Sequence, residues 1–257
     1  MRPYYERDGI TIYNADCLDV LPLIEAESAA LILTDPPYNV SARGGRANTT
    51  IGRLPRKDGT FREVRRDFGE WDHGWEPDPF LAEVPRLLAP GGSLVAFTSE
   101  FLFAPYLASG LEHRSLAYWR KSNPAPNFRK QIVRAVEMAV WQTKGGGWTF
   151  NAGGYRPNEW EGPEDGEVVL SEGPIISGFT VQNTGEARVH PTQKPEWLMR
   201  EWVSLWSNPG DLILDPFMGS GTTLRAAADL GRRAIGIEIS DDYCAGAVER
   251  LRQGVLL

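Results

Sequence analysis

The residues best suited to chemistry fall into two short groups, Thr34-Asp35-Pro36-Pro37-Tyr38 and, far along the chain, Asp215-Pro216-Phe217-Met218-Gly219-Ser220-Gly221-Thr222. In the first, two consecutive prolines fix φ and remove two backbone donors. The chain cannot continue there as helix or ladder, and carbonyls are left without competing N–H groups. Asp35 adds a carboxylate and Tyr38 an aromatic face. Together they suit an amine lying in a plane, which they can accept hydrogen bonds from and stack on, and the exocyclic amine of a nucleobase fits that description. Asp and Pro are also ordinary turn residues, so a plain strand-ending turn stays open beside the base pocket.

In the second group, Gly219 and Gly221 let backbone approach a ligand closely, and the helix that follows offers free N–H groups to a carboxylate or phosphate. Glu238 ends the next apolar segment 23 residues after Asp215, close to the ~20-residue spacing at which an acid meets ribose hydroxyls in dinucleotide-binding folds. Turn and acid together point to a nucleoside cofactor. No Lys stands where a phosphate-binding P-loop requires one. Ser220 has Met218 and Thr222 two residues to either side, where a hydrolase nucleophile elbow carries glycine.

These groups need elements to position them. The apolar run Ala29 to Leu33 reads as a buried strand delivering Asp35, and Asp211 to Asp215 as a second strand feeding the glycine turn, with a helix over Leu224 to Leu230. A strand at Ile10–Asn14 leads into a helix with Leu18, Leu21 and Ile24 on one face; Asp16 at that junction reads as an N-cap or a ligand contact. Further along, a helix bearing Leu81, Val84, Leu87 and Leu88 stops at Pro90-Gly91-Gly92, and strands follow at Ser93–Thr98, Leu116–Trp119 and Ile132–Thr143, with a helix over Phe101–Leu111. The segment 234–238 adds another strand, and a helix carrying Trp197, Leu198, Trp202, Leu205 and Trp206 belongs to the core. Strand–helix alternation of this kind predicts a parallel, doubly wound sheet.

Two stretches break the alternation. Ser41 to Arg66 holds eight Lys/Arg against two acids, a local charge of +6 in a chain of net charge −7. It reads as an irregular, mobile loop, with Arg43, Arg46, Arg53 and Arg56 placed for phosphates, or as a solvated charge run. Arg120, Lys121, Arg129 and Lys130, near Trp119 and Phe128, suit a nucleic-acid surface or a solvated rim. Residues 148–187 are rich in Asn, Gly, Pro and Glu and read as an irregular insertion outside the sheet, with six acids against one base between Arg156 and Glu172.

At 257 residues, 42% hydrophobic and 24% charged, the chain suits one soluble α/β domain. It shows no spanning run and no secretory h-region, and the expected location is the cytoplasm. Two distant cysteines, Cys17 and Cys244, and three scattered histidines supply neither a disulfide framework nor a metal site; both thiols read as small buried hydrophobes.

Asp35-Pro36-Pro37-Tyr38 followed by Asp215 to Thr222 resembles the β-group of amino-methyltransferases acting on DNA, in which the catalytic motif precedes the cofactor motif. The similarity spans nearly the whole chain, through Asn14-Ala15-Asp16-Cys17-Leu18, Leu88-Ala89-Pro90-Gly91-Gly92-Ser93-Leu94 and His190 to Pro195. It implies an α/β, circularly permuted Rossmann-like methyltransferase fold, a twisted and mostly parallel sheet with helices on both faces. One domain would cover 1–257, with a basic loop insertion at 41–66 and the irregular insertion at 148–187 where the family keeps its target-recognition region. The acidic composition of that insertion departs from the family.

The resemblance further implies S-adenosylmethionine as cofactor, with Asp16, Gln193, Lys194, Asp215, Phe217, Gly219, Ser220, Gly221, Thr222 and Glu238 around it. Gln193 and Lys194 would reach the methionine carboxylate. Asp35, Pro36, Pro37 and Tyr38 would act on the exocyclic amine of a base flipped from double-stranded DNA, adenine N6 ahead of cytosine N4 because Asp stands first in the motif. Neither thiol follows a proline, as the catalytic cysteine of carbon-5 cytosine methyltransferases does. A homodimer and a partner restriction nuclease stay open. So do an NAD-dependent oxidoreductase using the same turn, an RNA or protein glutamine acceptor, and a non-catalytic DNA-binding module.

Overall fold

The apolar runs are strands, and helices cover both of their faces. The structure, a computed structural model, describes residues 1–37, 75–120, 136–152 and 193–252 with their side chains, and the backbone of three further strands at 49–55, 61–66 and 159–161. In chain order the elements are β1 (Tyr5–Arg7), β2 (Ile10–Asn14), α1 (Cys17–Val20), β3 (Ala29–Thr34), β4 (Thr49–Pro55), β5 (Phe61–Arg66), α2 (Pro77–Leu87), β6 (Leu88–Thr98), α3 (Phe103–Leu107) and β7 (Glu112–Arg120). There follow β8 (Val136–Thr143), β9 (Glu159–Glu161), α4 (Glu196–Trp206), β10 (Leu212–Asp215), α5 (Thr222–Asp229), β11 (Arg233–Glu238) and α6 (Asp241–Arg252).

Among the described residues, one nine-stranded sheet runs β1-β2-β11-β10-β3-β6-β8-β7-β9. Its centre, β2 through β6, is parallel throughout. β8 is antiparallel to both β6 and β7, and β1 is antiparallel to β2. The late strand β10 lies between β11 and the early β3, with Ile213 opposite Leu31 and Leu214 opposite Ile32. This is the circular permutation expected from the motif order, and the sheet is mostly parallel as the alternation predicts.

Because side chains alternate along a strand, each central strand feeds two cores. Leu31, Leu33, Val95, Phe97 and Ile213 pack with Trp202, Trp206, Leu224 and Ala247 of α4, α5 and α6. Ile32, Leu94, Ala96 and Leu214 pack on the other face with Phe80, Leu81, Val84 and Tyr106 of α2 and α3. The helix that follows β10, α5, therefore lies on one face and the helix that follows β3 in the chain, α2, on the other. The crevice between their carboxyl ends is where open α/β sheets bind ligands.

Several local expectations need correction. The basic segment is not wholly irregular, since β4 and β5 pair as an antiparallel hairpin in a sheet of their own. Its strands carry β-branched and aromatic residues, and Asp58-Gly59 between them is a turn signal. The second insertion contributes β9, which extends the main sheet by pairing parallel with β7, Trp119 opposite Trp160. The insertion's first residues are also tied down: Phe150 stacks on Trp141 with ring centroids 5.1 Å apart, and Asn151 donates to the carbonyls of Ser204 and Ser207 at the end of α4. The helix after β2 is only one turn of α-helix continued by a 3-10 turn, Leu21–Leu23, because Pro22 lacks the donor a longer helix needs; Leu18 is exposed while Leu21 and Ile24 are buried. The C-terminal α6, whose Cys244, Ala247 and Val248 are buried against the sheet, has no counterpart in the sequence expectations.

No helix among the described residues is long and apolar enough to cross a membrane.

Candidate active site

The two carboxylates that end β3 and β10 meet at the crevice. Thr34 donates its hydroxyl to Asp215 Oδ1 at 2.8 Å, and the backbone N–H of Phe217 donates to the same oxygen at 3.2 Å, so Asp215 ties the two strand ends to the start of the glycine turn. Burial pushes the Asp215 carboxyl up to about 6, only partly offset by the hydroxyls of Thr223 and Thr34 and by the Phe217 amide. Its part is to hold the turn.

The turn itself is fixed by β11 and α6. Met218 N–H donates to the Ile237 carbonyl at 3.1 Å, and Gly219 N–H donates to Glu238 Oε2 at 3.1 Å. The other Glu238 oxygen accepts from Ser240 N–H at 2.9 Å, and burial, offset in part by these amides, raises the Glu238 carboxyl above its ordinary value. Gly236 lets the turn sit this low on the sheet: a Cβ there would stand 2.5 Å from Met218 Sδ and 2.6 Å from Leu224 Cδ2.

These groups enclose a cavity of about 490 Å³ at the carboxyl ends of β2, β11, β10 and β3, the size of a small-molecule or cofactor site. Asp16, Gln193, Lys194, Asp215, Phe217, Gly219, Ser220, Thr222 and Glu238 line it, and Asp35 and Pro37 open onto it. Asp16 is at once the N-cap of α1, accepting from Leu18 N–H at 2.9 Å, and part of the cavity wall. Gly221 stands apart from the others: it caps α5 in the left-handed conformation, φ 75°, where a Cβ would meet Ala247 Cβ at 2.8 Å, so it is required for helix packing.

Lys194 adopts an arrangement the sequence did not suggest. Its ammonium is paired with Asp35 Oδ2, lies 3.1 Å from Glu137 Oε2, and sits 4.5 Å above the Phe97 ring. Burial works against the charge, yet Asp35 and Glu137 outweigh it and hold the ammonium above its ordinary range. Gln193 also lines the cavity, its Oε1 accepting from Ser220 Oγ at 3.2 Å.

Trp75 and Phe80 are cavity residues that sequence reasoning missed. Both meet Phe217 edge to face, with ring centroids 5.7 Å and 5.5 Å away, forming an aromatic wall. Phe80 carried only the signal of a helix core residue and Trp75 carried none. Glu137 alternates along β8 as any strand residue would.

Tyr38, Arg43, Arg46, Arg56, Lys121, Arg129 and Lys130 fall outside the described residues. Arg53 is in β4 and Arg120 ends β7, opposite Val136 and Glu161. Burial pushes the Cys17 and Cys244 thiols up to about 12, which leaves neither suited to nucleophilic work.

A family profile described as DNA methylase matches residues 29–249. The type II methyltransferase M.HinfI of Haemophilus influenzae is 32% identical over 251 residues, spanning 95% of this chain and 68% of that protein. The type II methyltransferase M2.LlaDCHI of Lactococcus lactis subsp. cremoris is 30% identical over 276 residues, spanning 98% and 93%. Among solved structures, that of M1.HpyAVI in complex with SAM superposes with a TM-score of 0.62 at 25% identity, covering 95% of this chain and 99% of that one.

Proposed function

The chain belongs to the DNA methylase family, and from that premise we propose that it transfers a methyl group from S-adenosylmethionine to N6 of an adenine flipped out of double-stranded DNA. One observation carries the reading: Asp35 and, from the glycine turn, Phe217 to Ser220 and Thr222 open onto the same cavity. An acceptor for amine hydrogens thus shares a site with a turn built for a nucleoside cofactor.

The residues present fit S-adenosylmethionine. The aromatic wall of Trp75, Phe80 and Phe217 suits an adenine ring, and Asp16 lies close by. Glu238 spends one acceptor site of each oxygen on a backbone amide and keeps further lone pairs for ribose hydroxyls. Gln193 and Ser220 border the space left for the methionine end. When bound, the cofactor supplies an electrophilic methyl on a sulfonium.

The chain's own contribution is to prepare the amine. A base amine is a poor nucleophile because its lone pair is delocalised into the ring. The Asp35 carboxylate and the Pro36 carbonyl can accept its two hydrogens and favour a tetrahedral nitrogen, which passes one proton along the Asp35 hydrogen bond to solvent as it is methylated. Tyr38 would stack on the extruded base. Positioning supplies much of the acceleration and no covalent enzyme intermediate is needed. Adenine is preferred over cytosine because Asp35, rather than serine, opens the motif. The cations Arg43, Arg46, Arg53 and Arg56, with Arg120, Lys121, Arg129 and Lys130, would neutralise backbone phosphates.

The test is incubation with mixed-sequence duplex DNA and isotopically labelled S-adenosylmethionine, followed by digestion to nucleosides and mass spectrometry. Labelled N6-methyladenine is expected. Labelled N4-methylcytosine would reassign the base, and label found in RNA or protein with none in DNA would overturn the reading.

A further inference from the structure

We propose that Lys194 and Glu137 are positioning residues for Asp35: one buried ammonium, shared between two carboxylates from different parts of the fold, sets the direction and the charge of the carboxylate that receives the base amine. The inference rests on the methyltransfer reading above and deepens it.

Three elements bring the groups together. Asp35 leaves the end of β3, Lys194 precedes α4, and Glu137 is near the start of β8, separated from β3 in the sheet only by β6. The Lys194 side chain is 6% exposed, against 20% for Asp35 and 22% for Glu137, so the cation is the innermost member and its partners reach out from it. The face of Phe97 at 4.5 Å gives the ammonium a further favourable contact and shields it from water. A lysine this buried cannot swing to solvent without leaving two carboxylates together in a confined space.

The charge count gives Glu137 its purpose. Lys194 and Asp35 alone would form a neutral pair, and a carboxylate neutralised by a buried ammonium is a weak acceptor for an amine whose nitrogen gains positive charge as it is methylated. With Glu137 on the same ammonium, the trio carries one net negative charge. Lys194 then orients Asp35 without cancelling it. A methionine carboxylate would have to compete with these two acids for the same cation.

The experiment is a double-mutant cycle with Lys194→Met, Glu137→Gln and the double variant, on the full chain and the duplex substrate that wild type methylates. Single-turnover rate, S-adenosylmethionine affinity by calorimetry and Tm are measured for each. Each single variant is expected to lose rate by at least about tenfold while cofactor affinity changes little, and Tm reports separately the cost of removing the buried ammonium in Lys194→Met. The double variant, which restores the net charge of the trio, should be at least about tenfold faster than the product of the single losses predicts. Glu137→Asp, which keeps the carboxylate, should recover part of the rate lost by Glu137→Gln. Multiplicative losses, or a Lys194→Met variant that loses cofactor affinity at unchanged rate, would overturn the inference, the second outcome making Lys194 a cofactor ligand. Failure of wild type itself to methylate any DNA would instead overturn the underlying reading, so the two failures are distinct.

Discussion

At the scale of single residues, two carboxylates at neighbouring strand ends have opposite duties. Asp35 opens onto the cavity and is paired with Lys194, whereas Asp215 is buried and accepts at Oδ1 from the Thr34 hydroxyl and the Phe217 amide. Asp35→Ala should lower turnover by about 10²- to 10⁴-fold and leave S-adenosylmethionine affinity nearly unchanged by calorimetry; a parallel loss of affinity would place Asp35 among the cofactor ligands instead. For Asp215 the prediction concerns stability. Its folded-state pKa of about 6 lies above the ordinary 3.8, so the native state binds this proton more tightly than the unfolded chain does. The group's contribution is fully present below about pH 4 and is lost as pH rises through 6, beyond which the buried charge costs roughly 3 kcal/mol. Asp215→Asn should therefore be more stable than wild type at pH 8 by about 1–3 kcal/mol, with the difference shrinking toward zero at pH 4. Urea unfolding at both pH values checks this, and an equal difference at both would refute it.

At the scale of elements, the glycine turn is a joint between β10, β11, α5 and α6. Gly221 serves that joint twice, through its left-handed backbone and through the bare space against Ala247. Gly221→Ala should cost about 2–4 kcal/mol from the two effects together. Adding Ala247→Gly should return the steric part and leave the backbone part, as read from thermal unfolding of the two variants. Full recovery in the double variant would mean that the backbone conformation carries no cost. Gly236 works in the same joint, since Met218 and Leu224 rest where its Cβ would be. The aromatic wall shows a similar economy: Phe80 is a core residue of α2 that also faces the cavity beside Phe217.

At the scale of the whole molecule, charge is divided unevenly along the chain. The segment 41–66 carries +6 within a total of −7, so the remainder is strongly acidic and would repel DNA. If Arg43, Arg46, Arg53 and Arg56 each neutralise a phosphate, affinity should fall with salt at a log–log slope of about −0.9 per contact. Replacing all four with Ala should flatten that slope by up to about 3.6 and weaken binding to every sequence alike, with cofactor affinity intact. Fluorescence anisotropy across a salt series measures it, and an unchanged slope would assign phosphate contact elsewhere. The hairpin of β4 and β5 holds Arg53 on a strand outside the main sheet.

Legible in the sequence alone were the permuted order of the two motifs, the parallel centre of the sheet and the polar and glycine residues of the two motifs that border the cavity, because apolar runs, double prolines and glycine turns act locally and leave a local record. The sequence could not show that Phe80 and Trp75 face Phe217, that Gly221 answers to Ala247 in another helix, or that β9 extends the sheet, since each depends on what lies opposite in space. Asp35, Glu137 and Lys194 are the clearest case: 102 residues separate the first two and 57 the last two, and no periodicity links them. The sheet order, with β6 alone between β3 and β8, and the packing of the segment before α4 bring the three charges onto one another. An ion pair depends on through-space distance and shared burial, and tertiary packing decides both.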